Sequence, residues 1–529
     1  MGSLRGWAKG FMAPVLLRPW FERVYGNVPW LSFVAFYAVL ANIPYWFASR
    51  EFGFSPLGWF CIQYVVVGLV ALVVPRFVSA SLLLAIIFAD FLCGICRSYD
   101  LPVQTTLQNI SAADAFTGTR LVCAAATVLL AVLGAAISLF LPGNGLPNNQ
   151  RRRTAVCLLA FGLFIVGTDI FSIHLATGHL PDSLRSTTGV DGVDLRMSHM
   201  PKLARVPVIR LARMLVAEHA IRSVEKIDAA SVAAVPSATE VGLRNAGIVS
   251  DRRNGESPNL VLVVVESWGL AGDSHLKEAM VQPYLQPDLL ARYEVVQGTV
   301  PFDGTTIPAE ARELCGSSLA YHLLNATASE LKGCLPDRLA ALGYYDIALH
   351  GMSGHMFNRS EWYKTIGFQE TWFHEGFRHQ GMPDCMGPFI GTCDADIAAW
   401  IGRRLEEDSP QPYFIHWMTL NSHLPVFVPS TLGHGAPCLA DLSLTPNTPL
   451  CSWYQLIANV HQSVSQIAMR KLDRPTVFII VGDHAPPFGD PALRSKFSQS
   501  DVPYVVLLPR SDHYPSHALL ARNAANLHP

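Results

Sequence analysis

The chain has 529 residues and a formal net charge of −2; half of its residues are hydrophobic and only 15% are charged. Its mean hydropathy is +0.28. A soluble domain carries about 25% charge, so this balance excludes a disordered chain, a coiled coil and a basic nucleic-acid-binding protein, and it points to membrane segments.

The apolar residues concentrate before residue 175, in five runs close to the ~20 residues that a bilayer core requires. The runs cover about 30–48, 57–75, 77–96, 120–141 and 155–174. The third holds Asp90, a costly residue in lipid, which is expected to face the bundle as a buried, hydrogen-bonded carboxyl. Basic residues set the orientation. The N-terminal flank carries Arg5, Lys9, Arg18 and Arg23, and the connections after the second and fourth runs carry Arg76 and Arg151, Arg152 and Arg153. The opposite connections hold Arg50 and Arg97, with Arg120 at a span edge. That bias predicts a cytoplasmic N-terminus, and five spans then put everything after about residue 175 outside. Residues 1–25 mix Trp, Phe and Leu with basic residues, in the manner of an interfacial helix. The first apolar run is of full span length and lacks a cleavage site, so no cleavable signal peptide is expected.

Residues 1–175 therefore read as a membrane domain and 176–257 as a linker. The linker opens with a polar stretch and continues into a basic amphipathic stretch at about 203–227, expected to be a helix along the membrane or the outer domain. The turn-rich DRRNGESPN closes it.

Residues 258–529 read as an α/β domain. The predicted strands are 259–266, 345–350, 413–420, 475–484 and 503–509. Three of them run directly into Glu266, His350 and the pair Asp483–His484, and a fourth leads into Asn421 and His423. Open α/β sheets bind ligands beyond the carboxyl ends of their strands. Glu266 and Asp483 supply hard oxygens and His484 an imidazole nitrogen, a set that suits Zn²⁺ or Mn²⁺, with Mg²⁺ as a further candidate. Thr305 and Thr306 follow Gly304 at the start of a predicted helix. They read either as an ordinary N-cap or as a hydroxyl nucleophile activated by the metal. Of 11 cysteines, six lie after residue 300, and short loop separations favour the disulfides Cys315–Cys334, Cys385–Cys393 and Cys438–Cys451.

With VVVESWG (263–269), GTTIPAE (304–310), HGMSGHMFNRSEWYKTIGF (350–368), LNSHLP (420–425) and VGDHAPP (481–487) in this order, the chain resembles the alkaline-phosphatase superfamily. Within it, the resemblance is to the membrane branch of lipoteichoic acid synthases, phosphoglycerol transferases and phosphoethanolamine transferases. The implied fold is a five-helix transmembrane bundle followed by an alkaline-phosphatase-like (sulfatase-like) α/β domain. The resemblance implies Glu266, Thr306, Asp483 and His484 as metal ligands, with Thr306, four residues before Glu310, as the nucleophile. It implies that Arg359 holds the phosphoryl group and that His423 serves as acid/base or phosphate ligand; His350 is a weaker candidate, and His355 and His416 read as scaffold or surface. Phe357 stands where the synthases often have Trp.

The implied activity is transfer of a phosphoglycerol or phosphoethanolamine head group from a phospholipid to a glycan or glycolipid hydroxyl, through phospho-Thr306. The expected setting is a bacterial inner membrane with the catalytic domain in the periplasm. The alternatives are a phosphodiesterase or phosphatase, and a sulfuric ester hydrolase. The last rests on Cys334-Leu335-Pro336-Asp337-Arg338, which matches the formylglycine pattern C-x-P-x-R but falls about 30 residues beyond the expected nucleophile position.

Overall fold

A computed structural model of the chain describes residues 29–52, 60–98, 118–177, 235–248, 257–317, 331–386, 389–424, 448–472, 474–488 and 490–510, with the short pieces 103, 106–107, 323–324, 327–329, 426, 428 and 438. The expected interfacial helix of residues 1–25 and the amphipathic stretch at 203–227 lie outside the described residues. The chain divides into two compact units, Met1–Val103 with Thr119–Ile221, and Gln104–Gly118 with Arg222–Pro529.

The first unit is helical: α1 (Pro29–Ala38), α2 (Ile43–Phe52), α3 (Ile62–Ala71), α4 (Arg76–Ser98), α5 (Gly118–Phe140) and α6 (Asn148–Thr177). Among the described residues, three stretches are long and apolar enough to cross a membrane: Pro29–Ala48, Arg76–Ile95 and Val122–Gly145. The five expected spans are thus met in part. The second run yields the short α3, which ends shortly before Pro75, a residue that disfavours helix at the position preceding it. The fifth run lies in α6, which carries the charged triplet Arg151, Arg152 and Arg153 near its start. Asp90 is fully buried, and its Oδ2 accepts a hydrogen bond from Gln63 Nε2 at 2.7 Å inside the bundle.

The second unit is built on a seven-stranded sheet. Its strands are β1 (Asn259–Val265), β2 (Tyr293–Pro301), β3 (Tyr345–His350), β4 (Glu370–Trp372), β7 (Tyr413–Met418), β8 (Thr476–Gly482) and β9 (Asp501–Pro509). β5 (Asp384–Met386) and β6 (Ile390–Thr392) form a separate hairpin. The order is β2-β9-β8-β1-β7-β3-β4. The strands from β8 to β4 are parallel, and β9 and β2 add an antiparallel edge.

β1 is buried on both faces, which is why it reads as an unbroken apolar run. Val261, Val263 and Val265 enter one core with α10 (Asp394–Glu406) and α11 (Pro449–Ala468). Leu260, Leu262 and Val264 enter the other core, with α7 (Ala238–Asn245), α8 (Thr306–Cys315) and α9 (Arg359–Thr365). α7 lies within the stretch read as linker, yet Leu243 belongs to this core. Glu313 of α8 accepts from the backbone N–H of Thr239 at 2.8 Å, tying down the first turn of α7.

All three expected disulfides are formed: Cys315–Cys334, Cys385–Cys393 and Cys438–Cys451.

Candidate active site and metal centre

The parallel strands end side by side, and their chemistry collects at that edge. Glu266 follows β1, Asp483 and His484 follow β8, His423 lies beyond β7, and His350 ends β3. β8 and β7 are the two neighbours of β1, so the first ligands need no long side chains to meet. One donor atom from each of Glu266, Asp483 and His484 lies within 4.8 Å of the others. His484 Nε2 is 3.2 Å from Asp483 Oδ2 and 3.6 Å from Glu266 Oε1.

Thr306 joins this cluster. It is the first residue of α8, and its Oγ1 lies 3.3 Å from Glu266 Oε2 and 3.3 Å from His484 Nε2. Thr305 is the N-cap residue, and its side chain makes no capping bond. The Thr306 hydroxyl hydrogen-bonds within the cluster.

Neighbouring groups fix the carboxylates. The Ser267 hydroxyl donates to Glu266 Oε1 at 2.8 Å, and the Ser267 N–H donates to Asp483 Oδ1 at 2.6 Å. Ser267 holds φ +57°, a left-handed conformation that a non-glycine residue adopts at a cost. The Glu266 N–H donates to Thr419 Oγ1, and the Ser422 hydroxyl donates to the Glu266 carbonyl. At Gly482 an added Cβ would lie 1.9 Å from the Trp268 carbonyl oxygen, so only glycine allows β8 to deliver Asp483 here.

The donor set fits a divalent cation. Asp483 Oδ1 accepts two N–H groups, from Ser267 and His484, whereas its buried Oδ2 has no hydrogen-bond partner. His484 Nδ1 lies 2.9 Å from the Ala485 carbonyl, which can only accept, so Nδ1 carries the hydrogen. Nε2, which faces the carboxylates, is then the ring nitrogen that could ligate a cation. Burial pushes the Asp483 carboxyl up to about 8, and the Glu266 carboxylate adds to the shift. Burial also opposes ionisation of Glu266, but His423 and His484 hold its carboxyl below the usual range. Two carboxyls this close retain one proton between them unless a cation replaces it. Glu266, Asp483, His484 and the Thr306 hydroxyl are the atoms that could hold that cation.

Arg359 opens α9 directly after Phe357 and Asn358, both left-handed at φ +55° and +53°. Its guanidinium is buried, with Nε 3.1 Å and Nη2 2.7 Å from Glu310 Oε2, and it stands 5.2 Å from the centre of the Phe357 ring. The sequence expectation of a phosphoryl-binding arginine did not include this carboxylate partner. Burial opposes ionisation of Glu310, yet Arg359 and His416 hold its carboxyl down at about 2.

His423 Nδ1 lies 2.6 Å from the Leu424 carbonyl, and its ring meets Phe389 edge-on. His350 is buried with Nδ1 2.9 Å from the Met418 carbonyl. Burial and the nearby Arg359 lower it to about 3, so it is neutral. His416 is a buried residue of β7 beside Tyr363 and Phe368, and His355 is exposed.

Sequence reasoning missed Ser267, Thr419, Ser422 and Glu310. Glu310 alone carried a signal: it is a charged residue among Ile307, Ala311 and Leu314 on the buried face of α8.

The sulfatase family model matches residues 258–523, half of the chain, and the chain belongs to that family. A protein of Rhizobium meliloti (strain 1021), provisionally named a cyclic beta-1,2-glucan modification protein, is 25% identical over 215 residues. That match covers 38% of this chain and 33% of the relative, so the chain spans about a third of the length of the curated relative it matches.

Among solved structures, the lipoteichoic acid synthase LtaP of Listeria monocytogenes is 15% identical at a TM-score of 0.37, covering 51% of this chain and 71% of that one. The phosphoglycerol transferase GacH of Streptococcus pyogenes, solved with sn-glycerol-1-phosphate, is 13% identical at 0.31, covering 51% and 73%. The periplasmic domain of EcEptC from Escherichia coli, solved with Zn, is 10% identical at 0.31, covering 49% and 74%.

Proposed function

We propose that the chain is a metal-dependent phospho-alcohol transferase of the bacterial inner membrane with its catalytic domain in the periplasm. It moves a phosphoglycerol or phosphoethanolamine head group from a membrane phospholipid to a glycan or glycolipid hydroxyl. The observation that carries this reading is the Thr306 hydroxyl, 3.3 Å from both Glu266 Oε2 and His484 Nε2 at the mouth of a cation-binding donor set. A divalent cation bound there supplies Lewis acidity, lowering the pKa of a hydroxyl in contact with it and offsetting charge on phosphoryl oxygens.

Thr306 enters deprotonated, and its Oγ1 forms a bond to phosphorus as the bond to the diacylglycerol oxygen breaks. His423 gives its proton to that leaving oxygen. The acceptor hydroxyl then returns a proton to His423 and takes the phospho-alcohol, which restores the Thr306 oxygen. Arg359, at the start of α9, offers a guanidinium fork to the phosphoryl oxygens. The glycan acceptor draws support from the name of the curated relative, a glucan modification protein. The apolar helices of the first unit support a membrane-held donor. Cys334 is disulfide-bonded to Cys315, which leaves the formylglycine reading without a free thiol.

The test is release of diacylglycerol from phosphatidylglycerol and phosphatidylethanolamine by the purified full-length protein with Mn²⁺ or Zn²⁺. The reading expects metal-dependent release from one lipid, abolished in Thr306→Ala. Release from neither lipid, or release that survives Thr306→Ala, overturns it.

A further inference from the structure

Glu310 is a buried charge that the reaction above does not use. It sits one turn beyond Thr306 on α8 and is completely buried. Its carboxylate accepts from Arg359 Nε and Nη2, at 3.1 and 2.7 Å, and from the Tyr363 hydroxyl. His416 Nε2 lies 3.5 Å away. A guanidinium has two edges for paired hydrogen bonds, the Nε side and the terminal nitrogens. Glu310 takes the Nε side, which fixes the rotation of the fork and leaves the terminal edge to face elsewhere. The turn before Arg359 is held at its two left-handed residues by Asn358 Nδ2 to the Leu324 carbonyl and by Trp362 Nε1 to the Phe357 carbonyl. Non-glycine residues keep such a conformation only where surrounding contacts impose it, and these cluster at functional sites. A buried ion pair adds little stability over an apolar replacement of the same shape, so stability alone does not account for a charge here.

We propose that Glu310 is a positioning residue: it orients the Arg359 fork and ties it to the helix that carries Thr306, so the phosphoryl-binding group and the nucleophile keep one spacing. This rests on the reading of Arg359 as the group that binds phosphoryl oxygens. Neither Glu310 nor Arg359 belongs to the cation-binding donor set, so metal affinity and anion affinity separate the roles.

The experiment uses the full-length protein in detergent, in a Thr306→Ala background without turnover. It measures Mn²⁺ affinity, then inorganic phosphate affinity at saturating Mn²⁺, by calorimetry. Arg359→Gln and Glu310→Gln are each expected to weaken phosphate binding at least tenfold while Mn²⁺ binding stays within twofold. The double variant is expected to lose no more than Arg359→Gln alone, because Glu310 acts through Arg359. Glu310→Asp keeps the charge pair if Glu310→Gln does not fold; it shortens the reach by one methylene and is expected to weaken phosphate binding severalfold. Wild-type phosphate affinity in Glu310→Asp, or losses that add in the double variant, overturns the positioning role. Absence of phosphate binding before either residue is changed overturns the phosphoryl-binding reading of Arg359, and the positioning role falls with it.

Discussion

Ser267 joins two of the proposed metal ligands and holds a left-handed backbone, and replacing it with glycine separates the two effects. The Ser267→Gly variant loses the hydroxyl contact to Glu266 Oε1 but keeps the backbone N–H that serves Asp483 Oδ1. A hydrogen bond to a charged group is worth about 1.5–3 kcal/mol. Releasing a non-glycine residue from φ +57° returns about 1–2 kcal/mol. The two partly cancel in the folding equilibrium, so stability is expected to fall by no more than about 2 kcal/mol. Metal affinity has no such offset, because the backbone strain is the same with and without the ion. Loss of a group that orients a ligand lowers affinity roughly ten- to a hundredfold. Ser267→Ala keeps the strain and is expected to show the same affinity loss together with lower stability. The assay is competition calorimetry for Mn²⁺ and Zn²⁺ on chelator-stripped protein, beside thermal unfolding of the stripped form. Metal affinity within twofold of wild type in both variants would refute the reasoning.

Other changes probe the frame of the site. Gly482→Ala sets a Cβ 1.9 Å from the Trp268 carbonyl oxygen; the expected loss is at or above the upper end of the about 1–3 kcal/mol typical of overpacking, read by denaturant unfolding. Removing Cys315 and Cys334 together opens a loop of sequence separation 19 and is expected to lower stability by about 3 kcal/mol while leaving diacylglycerol release intact. Loss of release with full stability would place Cys334 in the reaction and count against Thr306 as the nucleophile. His461 is buried with Nδ1 2.9 Å from the Tyr284 hydroxyl, and burial lowers it from 6.5 to about 3. Between those values the unfolded chain binds a proton that the folded site refuses, so this contribution is complete above pH 6.5 and lost as the pH falls towards 3. His461→Gln is expected to flatten the fall of unfolding free energy across that window, and an unchanged slope would count against it.

The most apolar parts of the fold were the most legible. β1, β3, β7 and β8 are buried along almost their whole length, so their residues form largely apolar runs, broken only by Asp346 in β3 and His416 in β7 away from the strand ends. β2 escaped notice because it is half exposed at the sheet edge and carries Glu294, Gln297 and Thr299 among its valines. β4 has three residues and exists through its pairing with β3, which no local pattern announces. Glu266, Asp483 and His484 were legible because each stands at or just after the end of such a run. Ser267 and Glu310 were not, since their roles depend on contacts across 216 and 49 residues. A hydropathy run counts apolar residues without locating helix ends, so it cannot separate the short α3 from a full span.

The most direct test of the central claim is peptide mass spectrometry on the full-length protein after incubation with head-group-labelled phosphatidylglycerol or phosphatidylethanolamine. The account predicts a phospho-alcohol increment on the peptide that contains Thr306, absent in Thr306→Ala, with a mass that names the donor. Lipid turnover with an adduct on another residue, or turnover undiminished in Thr306→Ala, would contradict it.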